Sequence, residues 1–80
     1  MKRNPLQDGC WIVRCSKYPG VEIVILTTAW LVARSTAAKY FNCHINDLRL
    51  QYAQREAIKL DALRFTVAEA LEVAGKLHGK

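Results

Sequence analysis

The chain predicts an α+β fold: an N-terminal antiparallel β-hairpin followed by two or three α-helices, with ββαββα as the alternative order. Three observations carry this. Strand-forming residues cluster on both sides of Pro19-Gly20, an alanine-rich stretch with helical spacing follows, and Thr66-x-x-Glu69 opens a final amphipathic run. The 80 residues read as a single small domain, with residues 1–9 as a loose lead-in broken by Pro5 and Gly9.

Trp11, Ile12 and Val13 begin the first strand, and Val21 to Leu26 is the most β-prone text of the chain. Between them, Pro at the second and Gly at the third position of Tyr18-Pro19-Gly20-Val21 suit a type II turn. Both strands are apolar on both faces, since Ile23 and Ile25 alternate with Val24 and Leu26. One face can be covered by helices of the same chain. The other is expected to need a second subunit or another partner, which predicts a homo-oligomer, a dimer in the simplest case.

Thr27 or Thr28 can cap a helix from Ala29 to Phe41, with Trp30, Ala33, Ala37 and Phe41 as its buried stripe and Asn42 to end it. Residues 47–63 read two ways. Leu48, Leu50 and Tyr52 alternate like a strand, and Ile58 and Leu60 could begin a fourth. Yet residues 53–64 are almost all good helix formers, and Leu50, Ala53, Ala57 and Leu60 share a helical face. Helix is the favoured reading. The last helix starts at the Thr66–Glu69 capping box and buries Val67, Ala70, Leu71, Ala74 and Leu77.

Composition narrows the function classes. Apolar residues make up 51% and charged ones 24%, which excludes intrinsic disorder. The longest uncharged apolar run, Ile23 to Ala33, is far shorter than the roughly 20 residues of a membrane-spanning helix. Asn4, Pro5, Gln7 and Asp8 stand where a signal peptide would be apolar. A cytoplasmic protein without membrane contact is expected. The net charge is +5, and Lys2, Arg3, Arg14 and Lys17 against Asp8 place +3 of it in the first twenty residues. Such a charge suits an acidic protein or a nucleic acid.

The three cysteines form no disulfide framework. Cys10 and Cys15 are an odd number of positions apart and fall on opposite faces of a strand, so they cannot bridge each other. Cys43-His44 is adjacent rather than spaced as zinc ligands are, so no metal or cofactor site is predicted. Asp47 near Cys43 and His44 is the one compact acid–base–thiol cluster, and it reads as a solvated turn in which such residues bond the backbone. With no catalytic motif in sight, the expected function is binding rather than chemistry.

Two binding modes present themselves. Arg3, Trp11, Arg14, Lys17 and Tyr18 gather near the N-terminal end and include the residue types enriched at protein-interface hot spots. Alternatively, residues 36–52 can be spelled as a helix-turn-helix. Ala38 is then the small residue at the helix crossing, Asn42 the turn residue and Leu48 the apolar anchor. On that reading Asn46, Arg49 and Arg55 face DNA, although Asp47 places an acid close to the phosphates.

Residues Trp11 to Leu50, about half of the chain, resemble small accessory proteins of phages and mobile elements of the anti-CRISPR type. The likeness lies in a short hairpin joined to a helix of the form A-W-x-x-A-R-x-x-A-A-x-x-F, here Ala29-Trp30 through Phe41. It implies a non-enzymatic inhibitor of a host protein or nucleoprotein complex, and it transfers no functional residues.

Overall fold

The computed structural model describes residues 9–79. Strands β1 (Gly9–Cys15) and β2 (Glu22–Ile25) form the expected antiparallel hairpin, followed by helix α1 (Trp30–Phe41). Strands β3 (Leu48–Gln54) and β4 (Leu63–Phe65) come next, and helix α2 (Val67–His78) closes the chain. The fold is therefore α+β with a four-stranded mixed sheet and two helices, in the order ββαββα. The sheet runs β3-β1-β2-β4, antiparallel except where β4 pairs parallel with β2.

The hairpin turns where Pro19-Gly20 suggests. The Val21 N–H donates to the Tyr18 carbonyl at 3.1 Å, and Gly20 has φ +88, which a type II turn requires at its third residue. Helix α1 begins one residue later than expected. Thr27 Oγ1 accepts the Ala29 N–H at 3.2 Å, and Asn42 (φ 52) ends the helix in the left-handed region. At α2 both halves of the capping box form, from Glu69 N to Thr66 Oγ1 at 3.1 Å and from Thr66 N to Glu69 Oε1 at 2.9 Å.

Residues 47–63 are not helical. A 3₁₀ turn at Ile45–Asp47 leads into β3, and a second at Arg55–Ala57 leaves it. The alternation of Leu48, Leu50 and Tyr52 prevails because β1 offers a second edge along its whole length, from Gly9↔Gln54 to Cys15↔Leu48. A full ladder that buries Leu48 outweighs helix propensities of a few tenths of a kcal/mol per residue. The helix-turn-helix is lost with it, since its second helix is a strand. The fourth strand falls at Leu63–Phe65 rather than at Ile58 and Leu60, and Leu60 is 97% exposed.

Both helices cover one face of the sheet. Val13, Cys15, Ile23 and Ile25 project into this layer and meet Ala33, Ala37, Phe41 and Ala70. The alanines let helix and sheet backbones approach closely. Trp30, Leu71 and Leu77 lie outside this core, contrary to expectation, and Thr36 is buried in it. Their offset follows from alanine: the short side chains turn the helices' contact line toward Ala33–Ala37 and Ala70–Ala74 and leave the bulkier neighbours at the rim.

The opposite face carries Cys10, Ile12, Val24, Leu26 and Ala53. The chain covers it itself, with Ile58 and Ala62 of the β3–β4 connection. Arg64 fastens that cover, donating from Nη2 to the carbonyls of Lys59 at 2.7 Å and Ile58 at 3.3 Å. The two apolar faces of the hairpin are thus accounted for within one chain, and Cys10 and Cys15 lie on opposite sides as expected. Among the described residues no helix is long and apolar enough to cross a membrane.

Candidate partner-binding surface at the hairpin tip

Strand pairing brings together residues that are far apart in sequence. In the β1–β3 register Arg14 stands directly opposite Arg49, and on its other side Arg14 faces Glu22 of β2. All three side chains leave the sheet on the face away from the helices. Arg14 Nε donates to Glu22 Oε2 at 2.7 Å, in an ion pair that is largely exposed and so adds little stability. Among the described residues Arg49 reaches only the carbonyl of Leu48, at 3.4 Å. Two guanidiniums thus stand opposite each other on neighbouring strands with the carboxylate paired to Arg14 alone, an arrangement that costs stability and favours an incoming anionic group at Arg49.

Next to this row the hairpin turn forms a concavity of about 470 Å³, whose lining includes Arg14, Arg49, Tyr18, Val21 and Glu22. On the other side of Tyr18 and Val21 lies a smaller apolar notch of about 170 Å³, lined also by Tyr40, Phe41, Leu77 and His78. Tyr18 is 43% exposed and stacks on Phe41 with ring centroids 5.8 Å apart. His78 Nε2 lies 2.9 Å from the Tyr40 carbonyl and ties the end of α2 to α1 at the notch. The hairpin tip therefore presents an aromatic-aliphatic ridge between a cationic hollow and an apolar one.

The expected interface residues divide on this surface. Arg14 and Tyr18 belong to it, whereas Lys17 is not part of the lining and lies 4.0 Å from Asp47 Oδ2. Trp11 does not. It points to the helix side, donates its indole N–H to the Thr28 carbonyl at 3.1 Å and stands edge-on to Tyr52 at 5.3 Å. Arg3 lies outside the described residues. Of the residues assigned to DNA, Arg49 joins the hairpin tip, and Asn46 sits in the 3₁₀ turn with its N–H on His44 Nδ1 at 3.1 Å. Arg55 is beyond the far end of β3, about 20 Å from Arg49 at strand spacing. Val21, Tyr40 and Leu77 were not among the expected interface residues; the turn that joins Tyr18 to Val21 could have signalled Val21, whereas Tyr40 and Leu77 arrive only through packing of the two helices.

The Cys43–Asp47 cluster is a turn from helix to strand, not between helices. His44 caps the 3₁₀ turn, and Asp47 Oδ1 accepts from Ser16 Oγ at 3.4 Å. The Cys43 thiol is pushed up to about 11, by burial first, then by its hydrogen bond with Cys15 and the charge of Asp47. Burial also raises the Cys10 thiol, with Arg55 and Arg64 pulling it partly back. Neither thiol is an activated nucleophile at neutral pH. Comparison with protein families, curated proteins and solved structures gives no match to this chain.

Proposed function

We propose that this chain is a non-enzymatic binding protein that docks its hairpin tip on a protein or nucleoprotein complex and blocks or adapts it, as anti-CRISPR inhibitors do. The observation that carries the reading is the ridge of Tyr18 and Val21, with Arg14 and Arg49 on one side and an apolar notch on the other. Arginine and tyrosine beside an apolar pocket are the ingredients of an interface hot spot. They suit a partner that offers a carboxylate or phosphate next to an apolar side chain.

The sheet supports protein over single-stranded nucleic acid. Among the described residues its helix-free face carries arginines, Glu22, Gln51 and aliphatic residues but none of the aromatic platforms on which bases stack. Nor, among the described residues, does a helix stand ready for a DNA groove: the outer side of α1 offers Lys39 and a half-buried Arg34 among Trp30, Leu31 and Ser35.

The test is capture from the source cell with the wild-type chain and with Arg14→Glu and Tyr18→Ala variants, followed by reconstitution with the purified partner. Binding that falls about a hundredfold in either variant, with an unchanged circular dichroism spectrum, supports the hairpin tip. Equal binding by all three chains defeats it. Duplex DNA bound with a steep salt dependence, and not weakened by Tyr18→Ala, would instead favour a nucleic-acid partner.

A further inference from the structure

Strand β3 is an edge strand with few of the devices that usually protect one. It is seven residues long, Leu-Arg-Leu-Gln-Tyr-Ala-Gln, without proline, lysine or glycine. Its register with β1 runs unbroken from one end to the other, so no bulge twists the edge away. The opposite edge, β4, has only three residues. Among the described residues no strand lies outside β3.

The direction of its free backbone groups follows from one hydrogen bond. Ser16 N–H donates to the Asp47 carbonyl at 2.9 Å, which makes Ser16–Asp47 a hydrogen-bonded pair continuing the β1–β3 ladder. In an antiparallel ladder such pairs alternate, so Arg49, Gln51 and Ala53 turn their N–H and C=O groups toward β1. Leu50, Tyr52 and Gln54 must turn theirs outward; at Leu48 the N–H is taken by the Ile45 carbonyl, and the carbonyl accepts from Arg49 Nη1 at 3.4 Å.

We infer that this edge pairs with the β3 edge of a second copy of the chain, antiparallel about a two-fold axis at Gln51, and joins the two sheets into one of eight strands. The sequence is self-complementary in that register. Leu50 faces the partner's Tyr52 and Leu48 the partner's Gln54, so the outward groups of Leu50 and Tyr52 pair on both sides of the axis and the Gln54 N–H reaches the partner's Leu48 carbonyl. On the other face Gln51 meets Gln51 across the axis, and Arg49 meets Ala53, which puts no like charges opposite one another. An axis at Arg49 would oppose two guanidiniums.

The flank of the same edge is apolar. Trp30, 45% exposed beneath the Arg34 guanidinium at 4.5 Å, and Ile45, 39% exposed, line a hollow of about 350 Å³ with Arg49 and Leu50. A second copy standing at strand distance covers this hollow. A foreign acidic strand fits less well, because Arg49 is the only charge β3 can offer it.

Sedimentation of the full chain from micromolar to millimolar concentration tests the pairing. The expected result is a monomer–dimer equilibrium, weakened about fivefold by Gln51→Lys, which sets two ammonium groups against each other on the axis. Gln51→Glu weakens it similarly, and an equimolar mixture of the two variants restores a heterodimer at wild-type strength or better. Leu50→Pro, which removes an outward N–H and leaves the β1 ladder intact, abolishes the dimer. A monomeric mass throughout, a dimer indifferent to Gln51→Lys, or a mixture with no heterodimer overturns the proposal. Arg14→Glu should leave the dimer unchanged, so loss of hairpin-tip binding and loss of self-pairing are read separately.

Discussion

Cys43 follows Asn42, whose left-handed backbone ends α1, and its thiol lies against the Cys15 side chain at the margin of the core. The unfolded thiol ionises near its ordinary 9.0, whereas the folded one holds its proton to about 11. The sign of the linkage follows. Between about pH 9 and 11 the unfolded chain has shed a proton that the folded chain keeps, so added base favours unfolding. The stabilising contribution is complete below pH 9 and is lost as pH rises through the folded value. Urea unfolding of wild type and Cys43→Ser across this window should show a steeper alkaline decline in the wild type. Parallel pH profiles would remove Cys43 as its source. Iodoacetamide should label Cys43 slowly at neutral pH for the same reason. Some single residues declare such roles in the sequence: Gly20 and Asn42 are recognisable because few other residues tolerate the backbone angles found there. Trp30 does not declare its place, because helical spacing fixes a face and not how far the neighbouring sheet extends beneath it.

At the scale of elements, the hairpin, α1 and the capping box of α2 could be read directly, since each has a local chemical signature. Strand β3 could not, because its state is decided by β1. Leu48, Leu50 and Tyr52 alternate for too few residues to overrule the helix formers after them, and only the full ladder to β1 settles the contest. The same non-locality hid the cover of the second sheet face. Ile58 and Leu60 are two positions apart in similar text, yet one is 9% exposed and the other 97%. Ile58→Ala should therefore cost about 2–4 kcal/mol by opening a gap over Cys10 and Val24. Leu60→Ala should stay within about 0.5 kcal/mol. Chemical denaturation of both variants gives the comparison, and equal effects would mean that the connection is not the lid of this face. The candidate site follows the same logic. Arg14 and Arg49 were each visible, one in the basic N-terminal stretch and one in a helix-turn-helix that does not form. Their juxtaposition exists only through the β1–β3 register.

Charge acts at the scale of the whole molecule, and it distinguishes the two surfaces. Each chain carries a net +5, and sheets joined edge to edge would have their centres about 20 Å apart at strand spacing. At that distance two such bodies repel by several kcal/mol in water of very low salt, and raising the ionic strength from about 0.01 to 0.15 M shortens the screening length from about 30 to 8 Å. The Gln51-centred register contains no ion pair for salt to weaken. Self-pairing should therefore tighten as salt is added, by about tenfold over that range. Docking of the hairpin tip on an acidic partner should respond in the opposite sense, because Arg14 and Arg49 lose attraction while the apolar notch is unaffected. Measuring both equilibria over one salt series, by sedimentation for the dimer and calorimetry for the partner, gives two slopes of opposite sign if the two surfaces are distinct. A dimer that loosens with added salt would be held by charge, which β3 in this register cannot supply, and would overturn the edge-to-edge pairing.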